Sequence, residues 1–163
     1  MYKIGDVVMY RRNVCVVKEI ITNFREQGGY YKLSPLYDKT LVIHAPADSP
    51  KGIFRPLLNK GEIEALINEI PNIECVEVDD RLLENTYKEL FNSARHEDLV
   101  KIIKTAYSRG EHKAQKGLKR TENDKMYFQK AEKALYSELA IVLGKTIDET
   151  REYIIERMTV YTV

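Results

Sequence analysis

The sequence predicts an α+β protein in which a small amino-terminal antiparallel β module precedes a compact all-α domain of about five helices. Three observations carry that expectation. Four short runs rich in β-branched and aromatic residues crowd into the first 44 positions. From Asn59 onward the apolar residues recur at helical spacing. Helix-start and helix-stop residues then punctuate the chain to its end. The expected boundary lies near residue 58, giving domains over 1–58 and 59–163.

The first two strands are read over 2–10 and 14–21, joined by the polar Arg11-Arg12-Asn13. Residues 23–29 end in Gly28-Gly29, which permit the positive φ that a hairpin turn often needs. Strands follow over 30–33 and 41–44, and the prolines at 46 and 50 are expected to end the sheet, since neither can donate to a ladder. Four strands in so short a stretch suit a strongly curved sheet or partial barrel.

The first helix is read over 62–70, with Ile63, Leu66, Ile67 and Ile70 on one face and Pro71 as its stop. A second begins near Asp79-Asp80, whose carboxylates suit a helix start, and is expected to bury Leu82, Leu83, Thr86, Tyr87, Leu90 and Phe91. The third is read over 97–108, inward at Leu99, Val100, Ile102, Ile103, Ala106 and Tyr107, and ended by Gly110. A basic connector over 111–120 leads to the longest helix. There Thr121 and Asp124 form the start, Tyr127, Ala131, Ala134, Leu135, Leu139, Val142 and Leu143 the apolar stripe, and Gly144 the end. Thr146 and Glu149 make a capping-box signature for a final helix bearing Ile147, Tyr153, Ile154 and Met158.

With 163 residues, 44% hydrophobic and 31% charged, the chain can build a core without staples. The net charge of +1 hides an uneven distribution: residues 1–58 hold nine Lys or Arg against five Asp or Glu. Cys15 and Cys75 are far apart and lack partners at metal-ligand spacing, so both are expected as buried reduced thiols. No leader precedes the first strand and no apolar run approaches the roughly 20 residues that span a bilayer, so a cytoplasmic protein without a membrane partner is expected.

Signatures of catalysis are sparse. There is no GxxxxGK[ST] and no GxGxxG after a strand. His44, His96 and His112 are never at i, i+4 spacing, so no metal is expected. His44 reads as an outward strand residue and His96 as a helix-start residue. Cys15, within an apolar strand, lacks the electropositive setting of a nucleophile. The acids over 74–80 and at 148–149 read as helix-start residues rather than an acid–base pair. The expectation is a non-enzyme with no cofactor and no small-molecule substrate.

Two features point to partners. A four-strand sheet that does not close leaves an edge able to accept a partner's strand, unless Lys39 and the following prolines merely blunt it. A basic set, Lys113, Lys116, Lys119, Arg120, Lys125, Lys130 and Lys133, clusters at a helix start where cations and free amides can hold phosphates; a solvated face is the plainer reading.

Several stretches resemble, in order, the CarD family of bacterial transcription regulators. They are residues 4–10 (IGDVVMY), 30–33 (YYKL), 41–48 (LVIHAPAD), Gly117-Leu118, and above all 133–140 (KALYSELA). The first module is also shared with transcription-repair coupling factors. The resemblance implies a Tudor-like amino-terminal domain that binds the β subunit of RNA polymerase, and a helical domain that contacts promoter DNA at the upstream edge of the melted bubble. It further implies that the last strand of the small domain, here Leu41, Val42, Ile43 and His44, adds to a polymerase sheet, with Phe24 and Arg25 at the end of the neighbouring hairpin strand. The relatives insert a Trp into the minor groove at a position that falls near Asp79; this chain has no Trp. The resulting expectation is a regulator of open-complex stability whose DNA contacts are Lys113, Lys116, Lys119, Arg120 and Lys125. The alternatives are a Tudor-like adaptor for another protein and a stand-alone nucleic-acid binder.

Overall fold

A computed structural model describes residues 2–22, 28–50, 52–93 and 95–161, with side chains to 157. The chain forms two compact units, Met1–Leu57 and Leu58–Val163.

The first unit is an antiparallel five-stranded curled sheet: β1 (Val7–Tyr10), β2 (Asn13–Ile21), β3 (Tyr30–Pro35), β4 (Ile43–Pro46) and β5 (Phe54–Arg55), in the order β4-β3-β2-β1-β5. Alternation along each strand sends Val8, Cys15, Val17, Tyr31, Leu33 and Ala45 into one core. A register shift between Val17 and Glu19 adds local twist. Tyr2, Tyr10 and Tyr31 surround Phe54 with ring centroids 5.0–5.6 Å away.

Three strand expectations are corrected. β1 begins at Val7 rather than Tyr2, because Gly5 takes φ +93° and turns the chain, donating to the Val17 carbonyl at 2.8 Å. The fourth strand lies two residues later than expected, over Ile43–Pro46, which leaves Leu41 and Val42 in the preceding loop. Pro46 is tolerated because β4 is an edge strand. The sheet also does not end there: β5 pairs with β1 through Met9↔Arg55 and Tyr10↔Phe54, a strand too short for periodicity to register.

The second unit contains α1 (Lys60–Glu69), a 3₁₀ turn (Ile70–Asn72), α2 (Asp80–Asn92), α3 (His96–Gln115), α4 (Glu122–Leu143) and α5 (Ile147–Tyr161). α1 opens with a full capping box between Asn59 and Glu62, and α5 is preceded by the reciprocal Thr146–Glu149 pair. α4 starts at Thr121, whose hydroxyl accepts from the Asp124 amide, and stops at Gly144 with φ +66°. It packs against the other four helices. Its Tyr127, Ala131, Leu135 and Leu139 meet Ile63, Ile67, Leu83, Tyr87, Leu99, Ile102 and Ile154 in the core.

The third helix departs most from its expected form. It continues through Gly110 to Gln115, so His112 and Lys113 are helical rather than part of a connector. Gly110 is buried, and a Cβ there would collide with the Arg120 guanidinium; the glycine marks a close approach, not an end. The end comes at Gly117 (φ +72°), where Leu118 donates to the Lys113 carbonyl at 2.8 Å and Gly117 to Ala114 at 3.0 Å, the Schellman pattern. Leu82 and Tyr107, expected inward, are exposed, and Thr86 is half-buried with its hydroxyl donating to the Leu82 carbonyl. Cys75 is likewise exposed, since residues 74–79 form a mostly exposed connection without regular secondary structure rather than core. Met158 lies outside the described side chains.

Polar hubs tie the helices together. Asp124, fully buried, accepts from the Tyr87 hydroxyl at 2.8 Å and from Arg109 Nε at 3.2 Å. Glu138, equally buried, accepts from the Leu58 amide at 2.8 Å and lies 2.9 Å from His96 Nε2. Lys104 donates to the carbonyls of Ile70 and Ile73, satisfying the end of the first helical segment.

Tyr87→Phe removes a donor from a buried carboxylate without changing the packed ring, and is expected to cost about 2 kcal/mol in denaturant unfolding. The thiols give a second check. Burial pushes Cys15 up to about 11, so at pH 8 its thiolate fraction is about one hundredth that of an ordinary thiol. A disulfide reagent is expected to label one thiol promptly in the native protein, at Cys75, and two after unfolding.

Candidate functional site

Two surfaces collect the residues singled out from the sequence. On the β unit, Leu41 and Val42 are 46% and 47% exposed. The loop that presents them is shaped by Asp38, whose carboxylate accepts from the Thr40 hydroxyl at 2.6 Å and the Thr40 amide at 3.2 Å. Ile43 is half-buried against the β core, and His44 is exposed, with its ring edge-on to Tyr30 at 5.6 Å. Phe24 and Arg25 lie outside the described residues.

The ladder fixes what β4 offers. Its register with β3 pairs Tyr30 with Pro46, Tyr31 with Ala45, Lys32 with His44 and Leu33 with Ile43. One step further along the same register, Ala47 donates to the Gly29 carbonyl at 2.9 Å. Hydrogen-bonded pairs alternate with non-bonded ones in an antiparallel ladder. Ala45 and Ile43 therefore spend their backbone groups on β3, while the His44 amide and carbonyl point away from the sheet. Among the described residues β4 pairs with β3 alone, so its outer side is a short open edge with one strand donor, at His44, and two exposed apolar side chains just before it.

On the helical unit, the expected cations separate into two groups. Lys113 and Lys116, at the end of α3, line a cavity of about 410 Å³ together with Asp80, Ser108, Arg109, His112 and Leu118. Lys119, Arg120 and Lys125 are not among its lining residues. Lys119 and Lys125 are exposed. Arg120 is half-buried, its guanidinium 5.1 Å above the Phe128 ring. Among the described residues Lys113, Lys116 and Lys119 make no ion pair.

Arg109 is the member of this cavity that sequence reading missed. It stands one residue before a glycine in an unremarkable helical run, and its role comes from Asp124, 15 positions on. Burial alone would lower its pKa; the carboxylates of Asp124 and Asp80 outweigh that and hold it above the usual guanidinium value. Burial first, and next the bond to Asp124, push the Tyr87 hydroxyl upward too, so it remains a donor. Asp79 is exposed at the cap of α2 and makes no side-chain capping bond.

Among the described residues no group of three or more His, Cys, Asp and Glu is placed to hold a metal ion, and no helix is long and apolar enough to cross a membrane. The sequence matches no family model and no curated protein in the comparisons made.

The ladder parity predicts amide exchange directly. The His44 amide is expected to exchange roughly tenfold or more faster than those of Ile43 and Ala45, read by hydrogen–deuterium exchange with NMR detection. Equal protection of all three would mean a different register.

Proposed function

We propose that this chain is a non-enzymatic regulator of bacterial transcription, which docks on the β subunit of RNA polymerase by strand addition and tunes promoter open complexes through its helical unit. The observation that carries the reading is the outer side of β4: among the described residues, an edge strand whose His44 amide has no partner, led by exposed Leu41 and Val42. Strand addition needs both parts, main-chain donors for affinity and apolar side chains for fit. The ordered resemblance to the CarD family, strongest at residues 133–140, supplies the polymerase as partner.

The helical unit would act on DNA through cations. The resembled family's wedging Trp falls near Asp79, and a carboxylate there would repel phosphates instead of holding an unstacked step. Exposed Lys116, Lys119 and Lys125 are then the groups that bind the duplex, chiefly through its backbone. A protein that binds the open complex more tightly than the closed one shifts that equilibrium with no chemistry of its own. Such a role places the protein in the cytoplasm.

The ladder geometry chooses the test. His44→Pro removes the outward amide and no bond to β3, whereas Ile43→Pro breaks the sheet itself. His44→Pro is expected to keep the unfolding midpoint within about 1 kcal/mol of the parent and to lower affinity for the isolated β subunit at least tenfold, about 1.4 kcal/mol. Unchanged affinity in a folded His44→Pro chain would refute docking at this edge.

A further inference from the structure

The cavity between the first turn of α2 and the last turns of α3 holds an arrangement that neither the fold nor the polymerase reading requires. Its cations are Arg109, Lys113 and Lys116, with His112 and Ser108 adding polar atoms to the wall. Arg109 is rooted: its Nε faces both oxygens of buried Asp124, at 3.2 and 3.3 Å, and Asp124 is itself fixed by the Tyr87 hydroxyl. The guanidinium plane is thereby set, and its outer edge is turned toward the cavity. What meets that edge is a carboxylate: Asp80 Oδ1 lies 3.0 Å from Arg109 Nη1.

Asp80 is a poor structural partner for such a group. Its side chain is 79% exposed, against 24% for Arg109 and none for Asp124. An ion pair with one end in water adds little to stability, and Arg109 is already neutralised from inside by Asp124. The exposed carboxylate instead occupies the place that an external oxyanion would take on a guanidinium already oriented to receive one.

We propose that this cavity is a phosphoryl-anion site, anchored by Arg109 and flanked by Lys113 and Lys116, in which Asp80 is an internal stand-in that the ligand displaces. The site lies beside the start of α2, where Asp79 makes no side-chain capping bond and the Leu82 amide donates to the Asp79 carbonyl. The cavity's volume of about 410 Å³ accepts one or two phosphoryl groups rather than a whole nucleotide chain. Two sources share this chemistry, a nucleic-acid backbone phosphate and a small free phosphate compound. The first of these rests on the DNA contact proposed above; the second does not.

The test is titration calorimetry on the full chain with inorganic pyrophosphate and, separately, with a short DNA duplex at several salt concentrations. Asp80→Asn is expected to tighten binding about fivefold, the factor that one like charge at contact distance exerts in water. Lys113→Gln with Lys116→Gln, both outside the Asp124 network, is expected to weaken it about tenfold, and to flatten the duplex salt dependence by up to about two units of log–log slope. Arg109→Lys keeps the charge but loses the planar fork, and is expected to weaken binding about tenfold where the variant folds.

If pyrophosphate and the duplex compete and both follow these variants, the site takes either source. If only the duplex binds and follows them, its ligand is a backbone phosphate. If only pyrophosphate does, the anion site stands and the proposed DNA contact falls. Should Asp80→Asn, or the paired lysine variant, leave every measured affinity unchanged, or should neither probe bind, the proposal is overturned.

Discussion

Asp124 is sealed from solvent, and a buried carboxylate is tolerable only where donors surround it. Tyr87 from α2 and Arg109 from α3 both donate to this one carboxylate, while the Asp124 backbone amide donates to the Thr121 hydroxyl at the start of α4. Removing Arg109 leaves the buried charge unpaired and removing the Tyr87 hydroxyl leaves it one donor short, which explains how α2, α3 and α4 are locked to one another. The Arg109–Asp124 bond settles the direction of the guanidinium, so the same constraint also orients this cation toward the cavity beside Asp80.

The β unit follows a different logic. Its core is small, and aromatic rings supply much of it, with Phe54 brought in by the two-residue strand β5. That strand covers the β1 edge, while among the described residues β4 has no partner on its outer side. The short length of β4 and the imino acid at Pro46 limit the open edge to the His44 amide. A partner strand can therefore register in few ways, which suits selective docking better than nonspecific edge association.

Much of this architecture was legible. The β-then-α order follows from the change in period near Asn59, and the caps at Thr121, Gly144 and Thr146 act as their residue types imply. Gly110 misled, because a glycine chosen for close approach to Arg120 looks in sequence like a glycine chosen to end a helix; Gly117, seven residues on, is the real stop. β5 was invisible because two residues carry no periodicity. The exposure of Leu82, Tyr107 and Cys75 depends on which neighbours arrive in space. For the sites, the basic residues of α3 could be found as a cluster, but Arg109 and Asp80 could not, since 29 positions separate them. The strand expected over 41–44 lies two residues later, which keeps the alternation that turns His44 outward but moves Leu41 and Val42 out of the strand into the preceding loop.

The central claim is that the β4 edge is the docking surface, and hydrogen–deuterium exchange of the full chain with and without the RNA polymerase β subunit tests it most directly. The account predicts that the His44 amide, fast in the free protein, becomes strongly protected in the complex, together with the Val42 amide, while the amides of α2 and α3 keep their rates. Protection confined to the helical unit, with His44 still exchanging freely in a saturated complex, would contradict it.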